Sequence, residues 1–111
     1  MVIEEKYAEY FTIEGIRKKF ENILDMWGID FNLSQKIWDI YLDFEKENYN
    51  YFTNSGNEEE AFKTENLIRS IFRRRLSFPH IDLDIVWKDY KNWEKNEENL
   101  EKNEQKYNEV I

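Results

Sequence analysis

Apolar residues along this chain recur every three or four positions and are interrupted by short polar stretches, which is the period of an α-helix. The interruptions fall at residues 12–15, 28–34, 48–60 and 77–82. With the polar, acidic carboxyl end from Glu94 set apart, they leave six helical stretches, over residues 2–11, 14–27, 33–50, 57–77, 82–95 and 98–111. Local signals agree: Asn32 with Gln35, and Asn57 with Glu60, have capping-box spacing, and Gly28 stands where a left-handed residue would end a helix. Helices joined by such short breaks predict antiparallel hairpins, so the fold class is all-α.

The aromatic residues carry a repeat. Trp38, Tyr41, Phe44 and Glu45 recur at the same offsets as Trp87, Tyr90, Trp93 and Glu94. A weaker copy places Tyr7 and Tyr10 at the second and third positions, with Glu4 where Trp is expected. Between them runs a second pattern, Arg17-x-x-Phe20-x-x-x-Leu24, repeated as Arg69-x-x-Phe72-x-x-x-Leu76 and, degenerately, as Glu104-x-x-Tyr107-x-x-x-Ile111. The short gaps between copies are 34 and 35 residues, and both longer gaps span the Asn-rich segment. An insertion of about 15 residues there restores one period. The pattern predicts three A/B helical hairpins, each burying its aromatic stripe against its own partner and the next hairpin.

The W-x-x-Y-x-x-[FW]-E signature followed by an R-x-x-F helix resembles the half-a-TPR (HAT) repeat, most strongly over residues 33–95. The run FRRRLSFPHIDLDIVWKDYKNWE is similar, more narrowly, to the amino-terminal HAT arrays of the U4/U6 snRNP recycling splicing factors. So are KKFENILDMWGIDFNLSQKIWDIYLDFE and Tyr7-Ala8-Glu9-Tyr10. The resemblance implies a TPR-like α-α superhelix, one array through residues 1–111 with hairpins at 2–27, 33–77 and 82–111 and an insertion near 48–57. It also implies a protein–protein scaffold in nuclear RNA processing, with pre-mRNA splicing first. Pre-mRNA 3′-end processing and ribosome biogenesis are the alternatives. Expected partners are spliceosomal or other RNA-processing proteins, deubiquitinating enzymes, and a second copy of the array. RNA-recognition motifs follow the array in the recycling factors and none follows here, so the chain is expected to be a piece of a longer protein.

Composition narrows the chemistry. A chain of 111 residues has room for one modest core, and 4 Trp, 7 Tyr and 8 Phe are enough to close it despite 36% charged residues. Three Gly and one Pro cannot supply the turns of a many-stranded barrel. With no Cys there is neither a disulfide nor a thiolate metal site. No apolar run is long enough to span a membrane, and MVIEEKYAEY has no signal-peptide pattern. The net charge of −8 disfavours nucleic acid and anionic membranes as main partners.

Chemistry-bearing residues are few. Glu45 and Glu94 could be paired acids for proton transfer, but as repeat equivalents each is expected to pair with a B-helix cation. Trp38, Tyr41, Phe44, Trp87, Tyr90 and Trp93 could stack on bases, but their helical spacing favours core packing. Trp38 and Trp87, sharing one motif position, are expected to be largely buried. Arg73, Arg74 and Arg75 form the only basic run and fan around a helix; they are candidate contacts for an acidic partner peptide. Together with Arg69 they would serve the rival reading, direct RNA binding. His80 is the only histidine, and Gly15, Gly28 and Gly56 are isolated, so no metal, cofactor or enzymatic activity is expected. Ile3, Tyr7 and Tyr10, with Leu100, Tyr107 and Ile111, form end stripes expected to be covered by dimerisation.

Overall fold

A computed structural model of the chain describes residues 12–27, 30–77 and 82–110. It contains five α-helices: α1 (Ile13–Trp27), α2 (Phe31–Asn54), α3 (Glu58–Leu76), α4 (Leu83–Trp93) and α5 (Glu97–Val110). Among the described residues there is no strand, and the protein is all-α. The expected helix over 2–11, the Gly28 cap and the turn at Pro79 and His80 lie outside the described residues.

Side-chain caps set the helix starts. Thr12 Oγ1 accepts the Gly15 N–H at 3.0 Å ahead of α1, and Asn57 Oδ1 accepts the Glu60 N–H at 3.2 Å, as its spacing predicts. At α2 the cap is Asp30, whose Oδ1 accepts the Leu33 N–H at 3.1 Å, rather than Asn32. The carboxylate at Asp30 adds a favourable interaction with the helix dipole to the capping bond, and the helix begins at Phe31. Asn96 caps α5 in the same way, accepting from the Asn99 N–H at 3.2 Å.

The Asn-rich segment departs from expectation. The sequence predicts a helix to residue 50 and a loop or frayed helix end within 48–60, with residues 48–57 extending or following the helix outside the core; α2 continues to Asn54. Its reason is a continuous stripe: Tyr41, Glu45, Asn48 and Phe52, spaced by four, three and four, are all buried. Asn48 and Phe52 thereby enter the core, contrary to the expectation that the insertion stays outside it. The helix then closes in a Schellman turn. Asn57 N–H donates to the Phe52 carbonyl at 2.9 Å and Gly56 N–H to that of Thr53 at 3.2 Å. Gly56 carries φ +76°, where a Cβ is disfavoured.

The chain divides into two compact units, Met1–Tyr41 and Leu42–Ile111, with the boundary inside α2. In the described part of the first, Phe20 of α1 stacks on Tyr41 with ring centroids 4.6 Å apart, and Leu24 is buried. In the second, α3 packs against α4 and α5. Ile68, Ile71, Phe72 and Leu76 of α3 and Val86 and Tyr90 of α4 are buried in its core. Full burial of each such side chain contributes about 1.5–3 kcal/mol.

Candidate functional site

The two well-formed copies of the aromatic motif take up matching positions. Tyr41 and Tyr90 are buried at 1% and 0% exposure, and Glu45 and Glu94 at 0% and 5%. Trp38, Trp87, Phe44 and Trp93 are of intermediate burial, more open than the two tyrosines but not exposed. Helical geometry explains the order. At about 100° per residue, offsets 3 and 7 share the centre of the stripe, while offsets 0 and 6 flank it by roughly 40° and 80°.

The second pattern meets the first in both units. Phe20 packs on Tyr41, and its repeat equivalent Phe72 packs on Tyr90 with centroids 5.3 Å apart. In each case a B-helix phenylalanine is covered by the tyrosine of the following A helix. Phe72 is additionally flanked by Trp93 at 5.7 Å and by the Lys46 ammonium at 5.9 Å.

A buried polar network ties α3, α4 and α5 together. Arg69 Nε donates to Glu94 Oε2 at 2.5 Å and Nη2 to Oε1 at 3.0 Å. Tyr90 Oη donates to Glu94 Oε2 at 3.0 Å, and the Asn96 backbone N–H to Oε1 at 3.2 Å. Asn103 Nδ2 then donates to Tyr90 Oη at 2.6 Å, and Arg73 Nε to Asn103 Oδ1 at 3.3 Å. Glu94 therefore pairs with a B-helix cation, as its repeat position predicts. Each of its oxygens accepts two bonds, leaving it poorly placed to take a proton from a substrate. Burial pushes the Glu94 carboxyl up, but the bonds from Arg69, Asn96 and Tyr90 outweigh it and hold the group below its usual range. Burial also drives the Tyr90 phenol up to about 12, with Glu94 adding to the rise and Asn103 opposing it. Glu45 accepts from Asn48 Nδ2 at 2.8 Å within α2.

Asn103, 1% exposed, is the functional-looking residue that sequence reasoning missed. Its signal was its place between Leu100 and Tyr107 in the apolar stripe of α5. Tyr107 itself stacks on Trp87 at 4.9 Å and donates to Asp84, so part of the stripe expected to be open is occupied. Ile3, Tyr7, Tyr10 and Ile111 lie outside the described residues.

The arginine run splits three ways. Arg73 is exposed, Arg74 half-buried and Arg75 buried at 5%, so it presents no single cationic patch. Arg73 and Arg69 instead line a surface groove of about 580 Å³ with Phe62, Lys95, Asn96 and Asn99. Among the described residues no acidic or histidine cluster is arranged to hold a metal ion, and no helix is long and apolar enough to cross a membrane.

No curated protein and no solved structure matches the chain. A family model does: that of the suppressor of forked protein (Suf), over residues 5–109. It covers both aromatic motif copies and all five helices but for the last residue of α5. A match of that extent, on an all-α chain whose repeat equivalents make equivalent contacts, shows that the protein belongs to the Suf family, a HAT-repeat-type family of RNA-processing proteins.

Proposed function

We propose that this chain is a protein-binding HAT array of a nuclear pre-mRNA 3′-end-processing factor. The observation that carries the reading is the Suf match over residues 5–109, because Suf is a 3′-end-processing family. Two features support a scaffold. The side chains at the centres of the repeat motifs are used internally, on one another and on the next helix. The net charge of −8 favours proteins over RNA as partners.

The test uses the chain as a competitor in nuclear extract. Excess chain should occupy the partners of the resident factor and lower cleavage of a pre-mRNA 3′-end substrate, leaving splicing of an intron-containing substrate unchanged. The second reading, a U4/U6 snRNP recycling role in splicing, is favoured by the likeness of residues 72–94 to those arrays. It predicts the opposite pattern. An extract in which neither reaction responds would reject both.

A further inference from the structure

The groove between α3 and the start of α5 is chemically one-sided. Its strongest acceptor is spent: the Glu94 carboxylate is filled by Arg69, Tyr90 and the Asn96 N–H. The Oδ1 atoms of Asn66 and Asn96 are likewise engaged, by Arg69 Nη1 at 2.8 Å and by the Asn99 N–H at 3.2 Å. Its donors are not spent. Among the described residues the Lys95 ammonium and the Arg73 Nη atoms have no hydrogen-bond or ion-pair partner, and neither do the Nδ2 atoms of Asn66 and Asn96. Glu65 is the acidic residue that remains partly exposed on this wall, 3.9 Å from Arg69.

A wall of donors with consumed acceptors is complemented by a ligand rich in acceptors. A second, smaller cavity of about 250 Å³ continues the groove through Glu65, Glu94 and Lys95 and ends between Tyr49 and Trp93. Phe62, 63% exposed, borders the other end. The amides pair with an extended backbone, the cations with carboxylates, and the Tyr49–Trp93 end with an apolar side chain.

We propose that this groove binds an extended acidic segment of a partner protein carrying one apolar anchor residue. The proposal rests on the reading of the chain as a protein-binding array and names the partner's chemistry. RNA is the other acceptor-rich polymer, but the net charge of −8 disfavours a phosphate chain.

The test is fluorescence anisotropy of the whole chain with a fluorescein-labelled heptapeptide of six glutamates and a central leucine. The comparison probes are the same peptide with glutamines, an all-glutamate heptamer, and a uridine heptamer RNA. The acidic leucine peptide should bind tightest and weaken as salt rises. Lys95→Glu and Asn99→Asp should each weaken it about threefold or more, while Lys102→Glu, on the exposed face of α5, should not. Lys95 lies outside the buried network, so circular dichroism of that variant should match wild type, whatever Arg73→Glu does to the Asn103 contact. Absence of binding, equal binding of the glutamine peptide, or indifference to Lys95→Glu would overturn the proposal. RNA bound more tightly than the peptide and lost in Lys95→Glu would assign the groove to RNA. A chain that inhibits 3′-end cleavage yet ignores the peptide keeps the processing role and loses the groove; one that binds the peptide and inhibits nothing does the reverse.

Discussion

Arg69 and Glu94, 25 residues apart, hold each other in a two-pronged ion pair whose glutamate side chain is only 2% exposed and whose arginine side chain is 12% exposed. Arg69 also lies over the Trp93 ring at 5.4 Å, so one residue of α3 clamps the end of α4 from two directions. The pair fastens the B helix of one repeat to the A helix of the next at the place where the two motifs meet.

Breaking that pair from one side should be costly. Glu94→Ala leaves a mostly buried guanidinium without its carboxylate and should destabilise the chain by about 3–5 kcal/mol. Replacing both Arg69 and Glu94 should cost less than the two single changes together, by roughly 0.5–3 kcal/mol. Urea unfolding of the four proteins in a double-mutant cycle measures this.

Acid should act through the same carboxylate. Glu94 is held below its ordinary value of 4.5, so its contribution is complete above that pH and is lost as pH falls through the depressed folded value. Unfolding curves from pH 7 downward should show a loss of stability that is smaller in Glu94→Gln.

Alkali should act through Tyr90. Its phenol is raised from 10.0 to about 12, so the contribution is intact below pH 10 and declines as pH rises toward 12. Ultraviolet titration should reveal a late-ionising tyrosine that disappears in Tyr90→Phe. At neutral pH that variant should lose about 1–3 kcal/mol, because Asn103 keeps its buried amide and loses the hydroxyl it donates to.

The aromatic positions should rank by their place in the stripe. Phe72, fully buried, should cost about 3–5 kcal/mol on replacement by Ala, and half-buried Trp38 or Trp87 roughly half as much. Thermal melts decide it: equal losses at Phe72 and Trp87 would mean that position in the stripe does not set the cost.

The α2–α3 connection should be sensitive where it looks dispensable. Gly56→Ala forces a Cβ into a left-handed backbone and should cost about 1 kcal/mol, as should Asn57→Ala through its lost cap. Deleting residues 48–57 removes both devices along with Asn48 and Phe52, and should collapse the melting transition rather than leave it within a few degrees.

Local and periodic properties were already determined by the sequence. The helical class follows from three- and four-residue spacing and scarce Gly and Pro, the Asn57 cap from its spacing to Glu60, and the pairing of Glu94 with a B-helix cation from the repeat register. What only the tertiary structure decided depends on which helix faces which. Asn103 is an ordinary polar residue in a polar helix until α5 packs against Tyr90, when burial makes its amide a link between two helices. Asn48 and Phe52 sit in a stretch whose composition predicts a loop, and burial along a continuous stripe outweighs that weak local preference. The groove of Arg73, Lys95 and Asn99 joins residues from two helices and a connection, and a chain pattern carries no record of such neighbours. Burial and unspent hydrogen-bond donors are properties of surfaces in contact, and they exist only once the helices are assembled.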